Sequence, residues 1–417
     1  MILFSSKIRS LIRFGYISFL LLWTLALVGE LLLAFFTHNL SLDQQGGQSG
    51  FTDFVHFYVA GKITLSPERI MFYSWDVQKH FLENLTHCVI TGEDFYTQYV
   101  PLVFLLMAPY ALLPMESAHL LFDTINLAIG LTGCWFLMKQ FNLTKNRLAQ
   151  LVILGALSSM PSWNTWYLGQ ISWLYVGIIC FYFAFLLRHK SIWAGLALAL
   201  SIIKPHYALF LAIPSVALGR YRLILFAFLW ELLLLAFCII TFGIKALLAY
   251  PFALNQCEST FKSIHMNTMY GLASFLSFFL SKTTTYYSGL ALLAIGLLAI
   301  TVFVMFGLKK NAKPNISWLF SLIVLAALLF SPHSHSHDCL FILIPALITL
   351  PLLKANQNQS VGVKFWQWSF YLMPVITWII HLLTALDLPA NALFTALILM
   401  LFITAAKEFW TTNNVSV

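Results

Sequence analysis

The chain has 417 residues, of which 60% are hydrophobic and only 9% are Asp, Glu, Lys or Arg, and its formal net charge is +8 at pH 7. An ordinary soluble domain has about 25% charged residues, so this composition excludes a soluble globule, as well as disorder, collagen and coiled coil. Continuous apolar runs of about 20 residues predict membrane-spanning helices and argue against a β-barrel, whose segments are shorter and alternate.

The first element is an apolar run from Phe14 to Phe36 that follows three basic residues. This run is longer than the core of a signal peptide, and no small-x-small cleavage site follows it. We therefore predict that residues 1–36 contain a retained first membrane helix with a cytoplasmic N-terminus.

The next segment, residues 37–114, holds seven acidic and three basic residues and is predicted to lie outside the cytoplasm. Its last part, from Pro101 to Pro114, is apolar but too short to span a membrane. The prolines at its ends and inside it indicate an in-plane or re-entrant element. We expect this segment to be a large external catalytic loop that carries juxtamembrane helices.

Residues 115–417 are predicted to form the remaining membrane helices of one all-α domain. Together with the first helix they give about 12 crossings and place both termini in the cytoplasm. The segments assigned to the cytoplasm carry most of the 23 Lys and Arg residues, whereas Glu408 is their only acid, as the positive-inside rule requires. The net charge therefore needs no nucleic acid, and anionic lipid headgroups are its natural neighbours. The predicted helices are 117–138, 148–167, 171–187, 191–203, 205–219, 222–243, 286–308, 315–331, 338–353, 365–383 and 388–406.

Titratable groups gather on the predicted external side, which holds all of the 12 histidines except His189. Such groups are costly in a bilayer unless they line a wet cavity, so their concentration indicates a functional site. A transporter more often places them near the midplane of several helices. External loops suit an enzyme that acts on a lipid-borne substrate.

Asp53, His56 and Tyr58 form the first candidate group. In a helix that begins at Asp53, this carboxylate and the His56 imidazole share one face. The alternative is a structural N-cap, in which Asp53 only opens the helix. Tyr99 belongs to a second group, residues 95–101, which an aromatic belt at the membrane interface explains equally well.

Lys204 and His206 flank a proline after an apolar run. A lysine in that place is costly unless it pairs with an anion or reaches water, so we expect a phosphate partner, with snorkelling as the alternative. Gln170 lies at a predicted external helix junction, where its amide would donate to sugar hydroxyls. A plain helix-breaking turn explains the Gly169-Gln170 pair equally well.

His333, His335 and His337 stand at alternate positions before Asp338. An extended backbone would point the three rings the same way, as in a metal site. Acid–base or phosphate-binding roles near neutral pH are favoured over metal ligation. A polar external turn without chemistry is the remaining alternative.

Taken in order, these segments resemble the polytopic mannosyltransferases of glycosyltransferase family 87, which use a polyprenyl-phosphate sugar donor. The chain departs from the family pattern at His335, where an aromatic residue is usual, and at Ser172, where Asn is usual. The matching pieces lie within residues 15–350 and are Asp53-Phe-(x3)-Tyr58, Tyr99-x-Pro101 with Pro109 and Pro114, Gly169-Gln170, Ala194-Gly195 running to Lys204-Pro205, and Ser331-Pro332-(x4)-His337.

The resemblance implies the GT-C architecture, a helical membrane bundle whose large first external loop carries the catalytic carboxylate. It places the general base at Asp53 and the family's late histidine at His337, which are the candidate catalytic residues. The candidate substrate-binding residues are His56, Tyr58, Arg69, Tyr99, Gln170, Lys204, His206, His333 and His335.

The predicted activity is inverting transfer of a hexose, with mannose favoured, to a lipid- or glycan-linked acceptor on the extracytoplasmic face of a bacterial inner membrane. The expected partners are the polyprenyl-phosphate donor, the acceptor and the lipid bilayer, without nucleic acid. No cofactor is expected, and a divalent metal at the three histidines is a minor alternative. The competing functions are a transporter or flippase of lipid-linked sugars, a GT-C enzyme that uses another polyprenyl-linked sugar, and a non-catalytic assembly subunit.

Overall fold

The computed structural model describes residues 6–37, 42–43, 50–87, 89–90, 97, 99–255, 269–310, 314–355, 361–386 and 388–411. This part of the chain is almost entirely helical, which confirms the all-α prediction, and it also contains a short antiparallel pair of strands, Leu42–Asp43 with Gly50–Phe51. Short 3-10 helices lie at Pro67–Met71, Tyr110–Leu112, Ser201–Ile203 and Ser336–Ile342. The α-helices are α1 (Ser6–Phe36), α2 (Asp53–Thr64), α3 (Trp75–Thr86), α4 (Pro101–Met107), α5 (Met115–Gln140), α6 (Arg147–Leu157), α7 (Met160–Leu168), α8 (Ser172–Leu187), α9 (Ser191–Leu200), α10 (Pro205–Ala217), α11 (Tyr221–Phe242), α12 (Ile244–Leu248), α13 (Leu272–Leu276), α14 (Lys282–Lys310), α15 (Ile316–Phe330), α16 (Leu343–Ala355), α17 (Val361–Ala385) and α18 (Ala390–Thr411).

Six of the described helices are long and apolar enough, by length and composition, to cross a membrane. The pair α7 and α8 also passes this test together but is bent by 117°, so the number rises to seven if the pair is one span. Further apolar helices of 10–17 residues are shorter than a usual span. The chain is thus an integral membrane protein, and the number of about 12 crossings stays a prediction. The six spans are Phe14–Phe36, Met115–Gln140, Tyr221–Phe242, Tyr287–Lys310, Val361–Ala385 and Ala390–Thr411.

The predicted helix 148–167 is wrong as a single element, because the chain breaks between α6 and α7. Ser158 and Ser159 donate their hydroxyls to the carbonyls of the preceding turn, at 3.1 Å and 2.6 Å. Pro161 follows in the first turn of α7, where its missing N–H costs nothing but where the α6 helix cannot continue through it. The predicted helix 338–353 likewise differs, since the chain is a 3-10 helix at Ser336–Ile342 before α16 begins.

Close helix contact brings the first half of α8 to the second half of α5. A Cβ on Gly133 of α5 would lie 2.7 Å from the Gly177 backbone of α8, so both helices need glycine there for their backbones to meet. Small residues allow this approach in membrane helices. The contact fixes α8 against α5, and at the α7–α8 junction Gly169 lies against Phe54 of the first loop.

The described part of the loop 37–114 is packed against the helical bundle. The Tyr58 hydroxyl of α2 donates to the Leu113 carbonyl at 2.6 Å, which ties α2 to the end of the loop. The Phe72 ring lies 4.5 Å from the ring of Phe242 in α11. Since α4 has only seven residues, it is too short to span a membrane. The packing gives α2, and the residue that begins it, a defined position.

Candidate functional site

Asp53 is the first residue of α2, and its carboxylate reaches across to the junction between α7 and α8. The Gln170 side-chain amide donates to Asp53 Oδ2 at 2.6 Å. Gln170 is buried, whereas Asp53 is half-buried. The N-cap residue of α2 is Thr52 rather than Asp53, so the interpretation of Asp53 as a simple helix cap is wrong. The carboxylate is instead fixed by a residue 117 positions away.

The turn at Gly169 sets the position of Gln170. Gly169 ends α7 with φ +67°, in the left-handed region that favours glycine. A Cβ at this position would lie 2.4 Å from the Phe54 Cβ and 2.6 Å from His119 Nε2. The turn therefore needs glycine for its conformation and for space, and it brings the next residue onto Asp53. The predicted importance of the Gly-Gln pair thus has a geometric basis.

A second carboxylate, Asp338, lies in the first turn of the late 3-10 helix and is 1% exposed. The Lys204 ammonium forms an ion pair with Asp338 Oδ1. The hydroxyls of Tyr207 and Ser172 donate to Oδ2 at 3.1 Å and to Oδ1 at 3.3 Å. The backbone N–H of His335 donates to Oδ2 at 3.2 Å. Four donors from three parts of the chain thus converge on one buried carboxylate.

Lys204 stands at the break between the 3-10 helix Ser201–Ile203 and α10. Pro205 begins α10 without an N–H to offer, and the Tyr175 hydroxyl holds the preceding turn by donating to the Ser201 carbonyl at 3.0 Å. Lys204 is only 9% exposed, so it does not snorkel to water. Its charge is offset by Asp338, because a buried ammonium needs a counter-ion.

The predicted histidines form two pairs of neighbouring rings. The rings of His335 and His337 are stacked, with centroids 5.3 Å apart and planes 13° apart. The His333 ring lies 6.5 Å from the ring of His206. His337 Nε2 is 3.7 Å from Asp338 Oδ1. The His335 ring thus stacks on His337, and the His333 ring neighbours His206.

His335 connects the two carboxylates electrostatically. Burial lowers the pKa of His335 to about 4, and the nearby negative charges of Asp338 and Asp53 oppose this shift. A histidine with this pKa is neutral at pH 7 and has one donor and one acceptor nitrogen. Gln170, which bonds Asp53, and Ser172, which bonds Asp338, are two residues apart at the start of α8, so the two carboxylates belong to one site.

No group of three His, Cys, Asp or Glu side chains in the described ranges is arranged to hold a metal ion. The rings of His333, His335 and His337 accordingly do not converge as a ligand set. The expectation that no cofactor is needed stays a prediction.

Other predicted binding residues have packing contacts or lie at the surface. The Tyr58 hydroxyl is bonded to a backbone carbonyl, as described above, and the Tyr99 ring stacks on Phe57 at 4.6 Å. Arg69 is exposed, and His56 is half-buried on α2. Phe95, Tyr96 and Gln98 of the same aromatic group lie outside the described residues. Substrate binding by these side chains stays a prediction.

Asp338, Tyr207 and Ser172 belong to the candidate site but are not among the residues that the sequence predicts for it. A signal for Asp338 was present, because a buried lysine needs an anion and this aspartate directly follows His337. Tyr207 and Ser172 had no comparable signal, since a hydroxyl in an apolar helix is uninformative until its partner is known.

Comparisons with known proteins agree with the helical membrane architecture. The family model described as glycosyltransferase family 87 matches residues 96–332. No curated protein and no solved structure matches the chain. The matched range includes Gln170 and Lys204 and ends just before His333, so Asp53 and Asp338 flank it on either side.

Proposed function

Because the chain belongs to glycosyltransferase family 87, we propose that this membrane glycosyltransferase moves mannose from a polyprenyl-phosphate donor to a lipid- or glycan-linked acceptor. The observation that best supports a transfer site is the pair of carboxylates, Asp53 and Asp338, which are held by Gln170 and Ser172 of the same turn but differ in burial. Two carboxylates in different environments are suited to different tasks.

Asp53 is the general base in this proposal, and Asp338 is a positioning residue. A carboxylate offers about four lone-pair positions to donors. Asp338 receives four donors and is 1% exposed, so it has little capacity for a substrate proton. Asp53 is half-buried and receives the Gln170 amide on Oδ2, which orients the carboxylate while leaving acceptor capacity.

The proposed reaction transfers a proton and a glycosyl group in one displacement. The acceptor hydroxyl loses its proton to Asp53 as its oxygen bonds to the anomeric carbon, while the bond from that carbon to the phosphate oxygen breaks. Attack opposite the phosphate inverts the anomeric configuration. The electron pair leaves with the lipid phosphate, whose growing negative charge needs a cation in a poorly solvated site.

Lys204 is the cation closest to this role. An ammonium group has three N–H donors, so its bond to Asp338 leaves donors for a phosphate oxygen. Neutral His335 and His337 lie beside this pair and are suited to hydrogen bonds with sugar hydroxyls or with the phosphate. His337 thereby lies next to the reacting groups in this proposal, as the family resemblance implies for a candidate catalytic residue.

The proposed site lies at the membrane surface. A polyprenyl-linked donor brings its sugar to the membrane surface, so no nucleotide-sugar site is required. We place the reaction at the extracytoplasmic face of a bacterial inner membrane, with both termini in the cytoplasm and a GT-C bundle of about 12 crossings. The excess of acids in residues 37–114 supports this orientation.

Replacing Asp53 with Asn or Ala tests the assignment of the base. We expect transfer from polyprenyl-phosphate mannose in isolated membranes to fall roughly 10²- to 10⁴-fold. Asp76→Asn is the matched control, because Asp76 is also in the first turn of a helix of the same loop but is exposed. Undiminished transfer by Asp53→Asn at normal expression would remove Asp53 as the base.

One observation favours the alternative of a lipid-linked sugar transporter. Asp123 and Asn126 are buried inside the candidate span α5, and polar groups within membrane helices commonly line transport pathways. The two functions separate when lipid-linked sugar movement and glycosyl transfer are measured on the same vesicles. The transporter alternative requires Asp123→Asn to stop movement while Asp53→Asn leaves it intact, with no sugar transferred by the native protein.

A further inference from the structure

A cavity of about 450 Å³ lies where the turn after α8 meets the turn after α10. Its lining includes His189, Lys190, Arg220 and Arg222, and none of its ten lining residues is Asp or Glu. This volume lies in the range of small-ligand sites. The lining thus concentrates positive charge around a space without an internal anion.

The N-termini of two helices also lie at this cavity. Both α9 and α11 begin at the cavity, at Ser191 and Tyr221, and neither has an acidic residue in its first turn or a side-chain cap. The N-terminus of a helix carries partial positive charge and free N–H groups. Helix ends and side chains therefore favour the same kind of ligand, an anion with several acceptor oxygens.

Arg220 provides an independent indication of a ligand. Its Nε atom is buried and has no hydrogen-bond partner among the described residues. A buried donor without an acceptor is destabilising, so native structures rarely leave one unmatched. Because Nε is closed to water in this rotamer, an anion in the cavity would supply the missing acceptor after a small rotation of the Arg220 side chain.

This cavity is remote from the carboxylate site. Helix α8 begins at Ser172, which contacts Asp338, and ends at Leu187 next to the cavity. Its 16 residues span about 24 Å at 1.5 Å per residue. Helix α10 leads in the same way from Lys204 to the turn before Arg220. The cavity thus lies at the other end of these helices and is not part of the donor site.

The flanking residues point to a lipid rather than a soluble anion. Trp193 and Tyr221, in the first turns of α9 and α11, are 55% and 74% exposed. Exposed Trp and Tyr at helix ends are typical of the headgroup level of a membrane. Phe185 and Leu223 add apolar lining. We propose that this cavity binds the phosphate of an anionic phospholipid headgroup, at the membrane face opposite the carboxylate site.

The test measures lipid binding by the full-length protein in neutral detergent. Native mass spectrometry gives the apparent Kd for dioleoylphosphatidylglycerol and for dioleoylphosphatidylcholine, whose headgroup has the phosphate but no net charge. We expect tighter binding of the anionic lipid and at least a tenfold weaker Kd for it in the double variant Arg220→Gln, Arg222→Gln. The matched control is Lys145→Gln, Arg147→Gln, which removes the same charge from exposed positions outside the cavity. It should keep the native Kd.

Three results would overturn the proposal. The first is a native Kd in the cavity variant, and the second is a loss of affinity in the control as large as in the cavity variant. The third is complete displacement of the lipid by inorganic phosphate at the same concentration. If Arg220→Gln impairs folding, as size-exclusion chromatography would reveal, Lys190→Gln, Arg222→Gln replaces it. Both of those side chains are exposed and line the same cavity, so the same loss is expected.

Discussion

Replacing Lys204 with Met tests whether the buried ion pair stabilises the site. Lys204 is 9% exposed and Asp338 is 1% exposed. Methionine keeps much of the apolar stem but leaves the carboxylate without its cation, and such a loss typically costs about 3–5 kcal/mol. Because hydroxyl and backbone donors remain on Asp338, we expect a cost at the lower end, about 3 kcal/mol. The free energy of unfolding by denaturant in detergent micelles measures it.

A double-mutant cycle with Asp338→Asn separates the pair from its surroundings. The double variant should cost about 1–3 kcal/mol less than the sum of the two single variants, because each single change leaves one buried group unpaired. The partly exposed pair Lys79–Glu83, at 3.8 Å on α3, is the matched control, with an expected coupling of about 0.3–0.5 kcal/mol. If the coupling of Lys204 with Asp338 is as small as that of the control pair, the reasoning about burial is refuted.

Gly169→Ala should lower both stability and transfer, since its Cβ would lie 2.4 Å from a neighbouring side chain. The control is Gly219→Ala, which has a similar φ of +63° but no neighbour within 3.7 Å and should cost only about 1–2 kcal/mol. Equal losses of unfolding free energy in the two variants would contradict the steric explanation. Gln170→Ala should slow transfer roughly 10- to 100-fold by releasing Asp53. Gln170→Glu should slow transfer more, because the two carboxylates would repel each other. Transfer rates in membranes check both variants, and a Glu variant faster than the Ala variant would argue against the contact. Because burial lowers the pKa of His335 from 6.5 to about 4, the unfolded chain binds more protons than the folded chain between these values, so stability falls as the pH drops through this range. His335→Gln should flatten that dependence in unfolding measured from pH 7 to pH 4, and an unchanged slope would contradict it.

The helical membrane architecture was predictable because each long apolar run carries its own signal. The break between α6 and α7 was not predicted, although Pro161 is a signal for it. A hydropathy window averages the two polar serines at the break with their apolar neighbours, so the two helices look like one. Gln170 and Lys204 were identified as candidates from local helix junctions. Their partners were not, since Gln170 bonds a residue 117 positions away and Lys204 one 134 positions away. Such pairings depend on how the helices pack, which a single sequence does not specify.

The charges of the site explain why the reaction proposed here would use two carboxylates. The Lys204–Asp338 pair is neutral as a unit, and His335 is neutral at pH 7, so Asp53 carries the uncompensated charge of this group. When the acceptor proton moves to Asp53, that negative charge disappears from the base and an equal charge grows on the leaving phosphate. The phosphate can then accept from the remaining donors of the Lys204 ammonium without adding charge to a poorly solvated site. An unpaired Lys204 would be costly before the donor arrives, and Asp338 keeps the cation in place until that moment.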